Sequence, residues 1–342
     1  MYIATFLWFS FLKISSNLSP IWDVNYNKKS PPIKACFYPQ TGVSNFCQSL
    51  PNYSAIKNLS TSTGYKKIEI RHQIVENLER GSLSGILTVK EFAIQHSNLS
   101  DIQPGAFERS LSLLLLDFRH NKLEAVKTGT FNDLLISTLN LSHNRIKFIE
   151  DDALSYMSNL EEIYLAHNLL TKFNNAWFHK TQRLRELHLE NNFFTVIPND
   201  VFRNLRGQLF NPNIYLSFNK ITVVHSLAFR GMDNIRIGKL FLDNNFIKVW
   251  NENSSSNVNE LKLSFNNVTC IHGDVRETAK LGSVENFEHN PYNCTCLKDI
   301  KSAFDSSGQQ SAWFREQYLI CRDGNKMKKA RRDSDVEIFH SP

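Results

Sequence analysis

The sequence has no apolar run that reaches bilayer length. Spanning takes about 20 residues, and the longest run beyond the N-terminus, Leu113–Leu116, is far shorter. G-x-S-x-G, P-loop and H-E-x-x-H patterns are also missing. Glu186, His188 and Glu190 lie close together, but with no nucleophile and no closed pocket around them. The expectation is therefore a non-enzyme without a cofactor. Paired C-x-x-C spacing is absent too, which argues against zinc. The net charge of +6 gives no basic stripe on a fold. Lys326, Lys328, Lys329, Arg331 and Arg332 crowd one tail and leave the rest close to neutral. A nucleic-acid partner is not expected on that distribution. The polar C-terminus shows neither a membrane helix nor a lipid-anchor signal, so the expected product is a soluble factor.

Hydrophobic residues make up 42% and charged residues 21%, which places the chain among folded proteins. Ile3–Leu12 is an apolar run of secretory-signal length followed by Ser15 and Ser16, although no basic residue precedes it. Asn-x-Ser/Thr sequons occur at Asn17, Asn52, Asn58, Asn98, Asn140, Asn253, Asn267 and Asn293. The six cysteines are even in number and cluster toward the two ends. These features point to secretion.

Internal repetition organises the rest. The frame L-x-x-L-x-L-x-x-N-x-L is filled by Val89-Phe92-Ile94-Ser97-Leu99, then Leu113-Leu116-Phe118-Asn121-Leu123. Copies around Asn144, Asn168 and Asn192 follow, and looser ones centre on Asn219, Asn245 and Asn266. The key residues are spaced 24, 23, 24, 24, 27, 26 and 21 apart. Ile68, Ile70 and Ile74 suggest a degenerate first copy, and Asn211-Pro212 predicts an irregular turn before Asn219. The pattern resembles the extracellular leucine-rich-repeat family, with cysteine caps similar to Slit-type and Toll-type proteins. The resemblance covers roughly residues 68 to 325. It implies an α/β repeat, a curved horseshoe solenoid with a parallel concave β-sheet and disulfide-capped ends. The expected organisation is a signal peptide over 1–19, a linker and cap over 20–67, about nine repeats over 68–281, a cysteine cap over 282–325 and a basic tail over 326–342.

Each repeat position has a physical task. The L-x-L pair alternates inward and outward as a short strand does. The buried Asn supplies donors and an acceptor to neighbouring turns. Phe107, Phe131, Phe178, Phe202 and Phe229, with Leu154 in the equivalent place, are expected to stack as a convex spine. Asn290-Pro291-Tyr292-Asn293-Cys294-Thr295-Cys296 resembles the cap that closes such solenoids, which implies Cys296–Cys321. Cys270 and Cys294 each fall four residues after a key Asn, which predicts Cys270–Cys294 across adjacent turns. Cys36–Cys47 should close a short N-terminal loop.

The outward strand positions read as columns. The middle one runs Ala93, Asp117, Asn140, Tyr164, His188, Tyr215, Phe241 and Lys262. Tyr164, His188, Tyr215 and Phe241 form a contiguous run of the ring types that anchor interfaces, flanked by Glu162, Glu186, Glu190 and Lys239. A glycan on Asn140 would obstruct the N-terminal half, so ligand is expected on the C-terminal half. His96, His120, His143 and His167 form a second column that could bind metal or sense acid. Because L-S-H-N is a common form of that position in the family, the reading here is a solvated edge, and no metal is expected. The expected partner is a protein ligand or receptor in innate immunity or extracellular signalling, with anionic glycans a candidate for the basic tail. A matrix protein similar to small leucine-rich proteoglycans is the alternative.

Overall fold

The computed structural model describes residues 32–39, 45–50, 65–86, 88–205, 208–229, 236–251 and 257–324. The expected signal peptide, the sequons at Asn17, Asn52, Asn58 and Asn253, and the basic tail from Lys326 lie outside the described residues.

One 11-stranded sheet runs the length of this part of the chain. Its nine parallel strands are Tyr65–Arg71, Glu91–Gln95, Leu115–Asp117, Thr138–Asn140, Glu162–Tyr164, Glu186–His188, Asn213–Tyr215, Ile237–Phe241 and Val258–Lys262. Register never slips between them, so Ile68, Phe92, Leu116, Leu139, Ile163, Leu187, Ile214, Leu240 and Leu261 form one column. All nine are fully buried, and each such Leu or Ile contributes about 2 kcal/mol by leaving water. Leu141, Leu165 and Leu189 also face inward. The return segments are tight turns with short parallel pairs, such as Ala125–Val126 with Phe148–Ile149. The Phe spine is buried at all five predicted positions, with Leu154 filling the sixth. The solenoid follows from this pattern, because one turn cannot cover its own apolar side.

The asparagines close the polar account. Asn168 Nδ2 donates to Leu141 O of the preceding turn and to Leu165 O of its own, both at 3.0 Å. Its Oδ1 accepts from Ile146 N at 3.0 Å. Asn121, Asn144, Asn192, Asn219, Asn245, Asn266 and Asn290 make the corresponding bonds. Buried backbone groups at the corner of each turn are thereby satisfied.

The irregular stretch before Asn213 leaves the sheet register intact. Gly238 makes room for it. A Cβ there would lie 2.5 Å from Asn213 Oδ1 and 3.1 Å from Asn211 O.

Two expectations need correction. Ile74 is exposed rather than part of the first turn's core. Val75 is buried instead, because it stands three residues after the His72 corner, as Leu99 stands three after His96, and so occupies the inward position of the frame. The C-terminal disulfides are Cys270–Cys296 and Cys294–Cys321, not Cys270–Cys294 and Cys296–Cys321. The repeat ends at Asn290. Asn293 then caps a helix, Cys294–Ser306, by accepting from Cys296 N. Two residues apart on a helix are about 200° apart around its axis. Cys296 therefore turns toward the strand Cys270–His272 and the core, while Cys294 turns toward the helix over 312–324 that carries Cys321. At the other end, Cys36–Cys47 joins directly opposed residues of a hairpin, Ile33–Pro39 with Phe46–Leu50. That hairpin pairs antiparallel with Tyr65–Arg71 and covers the first turn.

Candidate functional site

Constant register brings the middle column together. Asn140, Tyr164, His188, Tyr215 and Phe241 are direct neighbours on successive strands, and Lys262 follows Phe241. Tyr164 and His188 stack at 4.6 Å between ring centroids, and His188 and Tyr215 at 4.4 Å. Tyr215 meets Phe241 edge to face at 5.3 Å. Lys262 Nζ lies 5.7 Å from the Phe241 ring centre. Strands about 4.8 Å apart dictate this spacing, because flat side chains one per strand are brought into face-to-face or edge-to-face contact. The rings cover one another's faces and are half-buried, so the column is pre-ordered before any ligand arrives.

The flanking carboxylates hold it. Tyr164 Oη donates to Glu162 Oε2 at 3.1 Å. Burial, then that hydrogen bond, pushes the Tyr164 phenol up to about 12. Burial and a hydrogen bond to Glu186 do the same for Tyr215, also up to about 12. Both phenols therefore remain neutral donors. Asn213 Nδ2 donates to Glu186 Oε1 at 2.9 Å. His188 Nδ1 lies 2.9 Å from Glu190 Oε1. Glu190 Oε2 is buried and has no hydrogen-bond partner. A buried carboxylate oxygen without a donor is costly, and it marks a place where an arriving N–H or ammonium group would be stabilised. Lys239 stands at the far end, exposed and 4.0 Å from Glu260 Oε2, so it does not join the carboxylates around the rings.

Sequence reasoning missed Asn213, which tethers Glu186, and Asp243, which accepts from Ser217 Oγ at 2.6 Å and lies 3.6 Å from Lys262 Nζ. Asn213 is the register neighbour of Glu186, and Asp243 follows Phe241 by two residues, so both were readable from the repeat frame. It also missed that the His column begins at His72, which stacks on His96 at 5.0 Å. The Gln73 that stands where the frame wants Asn hides that first rung. Among the sequons, Asn98, Asn267 and Asn293 are exposed, and Asn140 is half-buried on the concave face with its Oδ1 accepting from Ser142. Among the described residues, no helix is long and apolar enough to cross a membrane.

Comparison with known proteins agrees with this architecture. The profile of the leucine rich repeat family matches residues 88–146 and 135–194. The chain is 29% identical over 142 residues to lumican of Gallus gallus and to lumican of Coturnix japonica. Those alignments cover 40% of this chain and 39% of each lumican, so the match spans about two fifths of the relatives' length. Among solved structures, a chain of the TLR13–ssRNA13 complex superposes with a TM-score of 0.57 at 24% identity, covering 64% of this chain and 31% of that one. Human 5T4 (Wnt-activated inhibitory factor 1, trophoblast glycoprotein) superposes with a TM-score of 0.51 at 20% identity, covering 68% and 90%. The structural likenesses are likenesses of fold. Unslipped parallel strands, an asparagine at each corner, disulfide-bonded ends and the matched profile lead to one conclusion: the described chain folds as a leucine-rich-repeat solenoid, and residues 88–194 carry the profile of that family.

Proposed function

We propose that this chain is an extracellular, non-enzymatic module that binds a protein ligand on the C-terminal half of its concave face. The observation that carries the reading is the stacked column Tyr164–His188–Tyr215–Phe241. A pre-stacked aromatic row loses little side-chain entropy on binding, which favours an anchor role. Glu162, Glu186 and Glu190 make its border acidic, and the unpaired Glu190 oxygen favours a ligand that offers a basic side chain beside an apolar one. The neighbouring rim supports a broad footprint, since Phe218, Phe246 and Phe265 are 54%, 50% and 51% exposed. Apolar patches of that kind on a folded surface usually serve contact. Three disulfides favour an oxidising compartment. A glycan on Asn140 would border the column on its N-terminal side and leave the proposed surface open.

The test captures partners from extracellular fluid with the wild type and with a Tyr164→Ala/Tyr215→Ala double variant of unchanged circular dichroism. Loss of two anchors at about 2 kcal/mol or more each lowers affinity by about 1,000-fold or more. Equal capture by both proteins would remove this surface from consideration.

A further inference from the structure

The rim of the N-terminal half differs from the face beside it. His72, His96, His120, His143 and His167 stand one per turn, each with φ between 51° and 57°. Their rings stack at 5.0, 4.3, 4.2 and 4.1 Å between centroids, with interplanar angles of 10–23°. The faces are therefore covered by neighbouring rings, and the ring edges point outward. Arg71 and Arg119 line the inner flank of the ladder, while Lys122 and Arg145 line the outer one. The carboxylates that face it are Glu69 and Asp117, both already engaged, and Glu190, which lies opposite Ala166 on the next strand at the His167 end and contacts His188. Glu69 bonds Arg71 and Tyr38, and Asp117 bonds Arg119 and Gln95. Farther out, Glu124 pairs with Lys147.

We propose that the stretch His120–His143–His167, with Arg119, Lys122 and Arg145, is a binding strip for linear sulfated polysaccharide that engages at mildly acidic pH. A file of outward ring edges offers N–H donors in one line, and protonation adds positive charge along it, which Asp117, shared with Arg119 and Gln95, and Glu190, shared with His188, offset only in part. Single-stranded nucleic acid needs open aromatic faces on which bases stack, and here the faces are occupied by one another. A protein partner needs a desolvated anchor, whereas Ser142 and Ala166 leave the strip without one. Among the described residues, no three His, Cys, Asp or Glu side chains converge as metal ligands. Asn98 borders the first rungs, so a glycan there leaves His120 to His167 as the open part. Burial first, then the charge of adjacent rings, keeps His96 and His143 below the ordinary imidazole range. Bound sulfate groups would offset that repulsion.

The test measures binding to immobilised heparin at about pH 5.5 and about pH 7.5, on either side of the ordinary imidazole pKa. The full chain is compared with a His120→Asn/His143→Asn/His167→Asn variant, Asn being chosen because it tolerates positive φ. A third protein carries Lys328→Gln, Lys329→Gln, Arg331→Gln and Arg332→Gln, which removes tail binding. The wild type should bind at least about tenfold tighter at the acidic pH, since each proton taken up on binding is worth up to tenfold per pH unit. The tail variant should keep that gain and the histidine variant should lose it. No acid gain in the wild type, a gain that survives the histidine changes, or displacement of heparin by single-stranded RNA at lower concentration would each overturn the proposal. Imidazole NMR titration of the unaltered protein gives an independent reading: heparin should raise the pKa of ladder histidines, and unmoved values would contradict the assignment.

Discussion

Asn168 shows how much rests on single side chains. Its amide satisfies Leu141 O and Leu165 O while accepting from Ile146 N. Leucine there keeps the volume and removes every bond. Each buried group so orphaned costs about 1–3 kcal/mol, so Asn168→Leu should lower the unfolding free energy in urea by about 3 kcal/mol or more. A loss below about 1 kcal/mol would mean that water reaches the corner of the turn. The corner asparagines were legible as a repeat, and so were Tyr164, His188, Tyr215 and Phe241 as a column, because strand period and turn length fix which residues align. The free oxygen of Glu190 was not, since it depends on which way a carboxylate rotates once His188 has taken its partner.

At the scale of elements, the caps and the histidine ladder behave differently from the repeats. The cap pairing escaped the sequence because the repeat frame was carried past Asn290, where the chain leaves the solenoid for a helix. Helical geometry then separates Cys294 from Cys296 in a way that strand geometry would not. The ladder was visible as His96, His120, His143 and His167, but its continuous stacking and its start at His72 depend on ring orientation. Its chemistry sets a pH dependence. His96 and His143 hold protons less tightly in the fold than the ordinary 6.5. The unfolded chain therefore takes up protons first as pH falls, and stability declines below about 6.5 while remaining full above it. Urea midpoints should drop between about pH 7.5 and about pH 5.5, and a His96→Asn/His143→Asn variant should show a smaller drop. An equal drop in both would place the acid sensitivity elsewhere.

On the scale of the whole described chain, the solenoid carries two surfaces on one sheet. After Asn191 the unbroken run of histidines at the positive-φ corner ends, and Phe218, Asn244, Phe265 and His289 follow at the same position. The concave column changes too, from Ala93, Asp117 and Asn140 to Tyr164, His188, Tyr215 and Phe241. Because each turn touches only its neighbours, the two halves can differ in chemistry without altering the fold. The second half of the concave face is the surface proposed to meet a protein. The most direct test places a photo-crosslinking phenylalanine analogue at Phe241 in one protein and at Phe148, exposed on the opposite side of the coil, in another, then irradiates each in extracellular fluid. A crosslinked protein partner is expected from position 241 and none from position 148; a partner recovered from 148 with none from 241 would contradict the proposed surface.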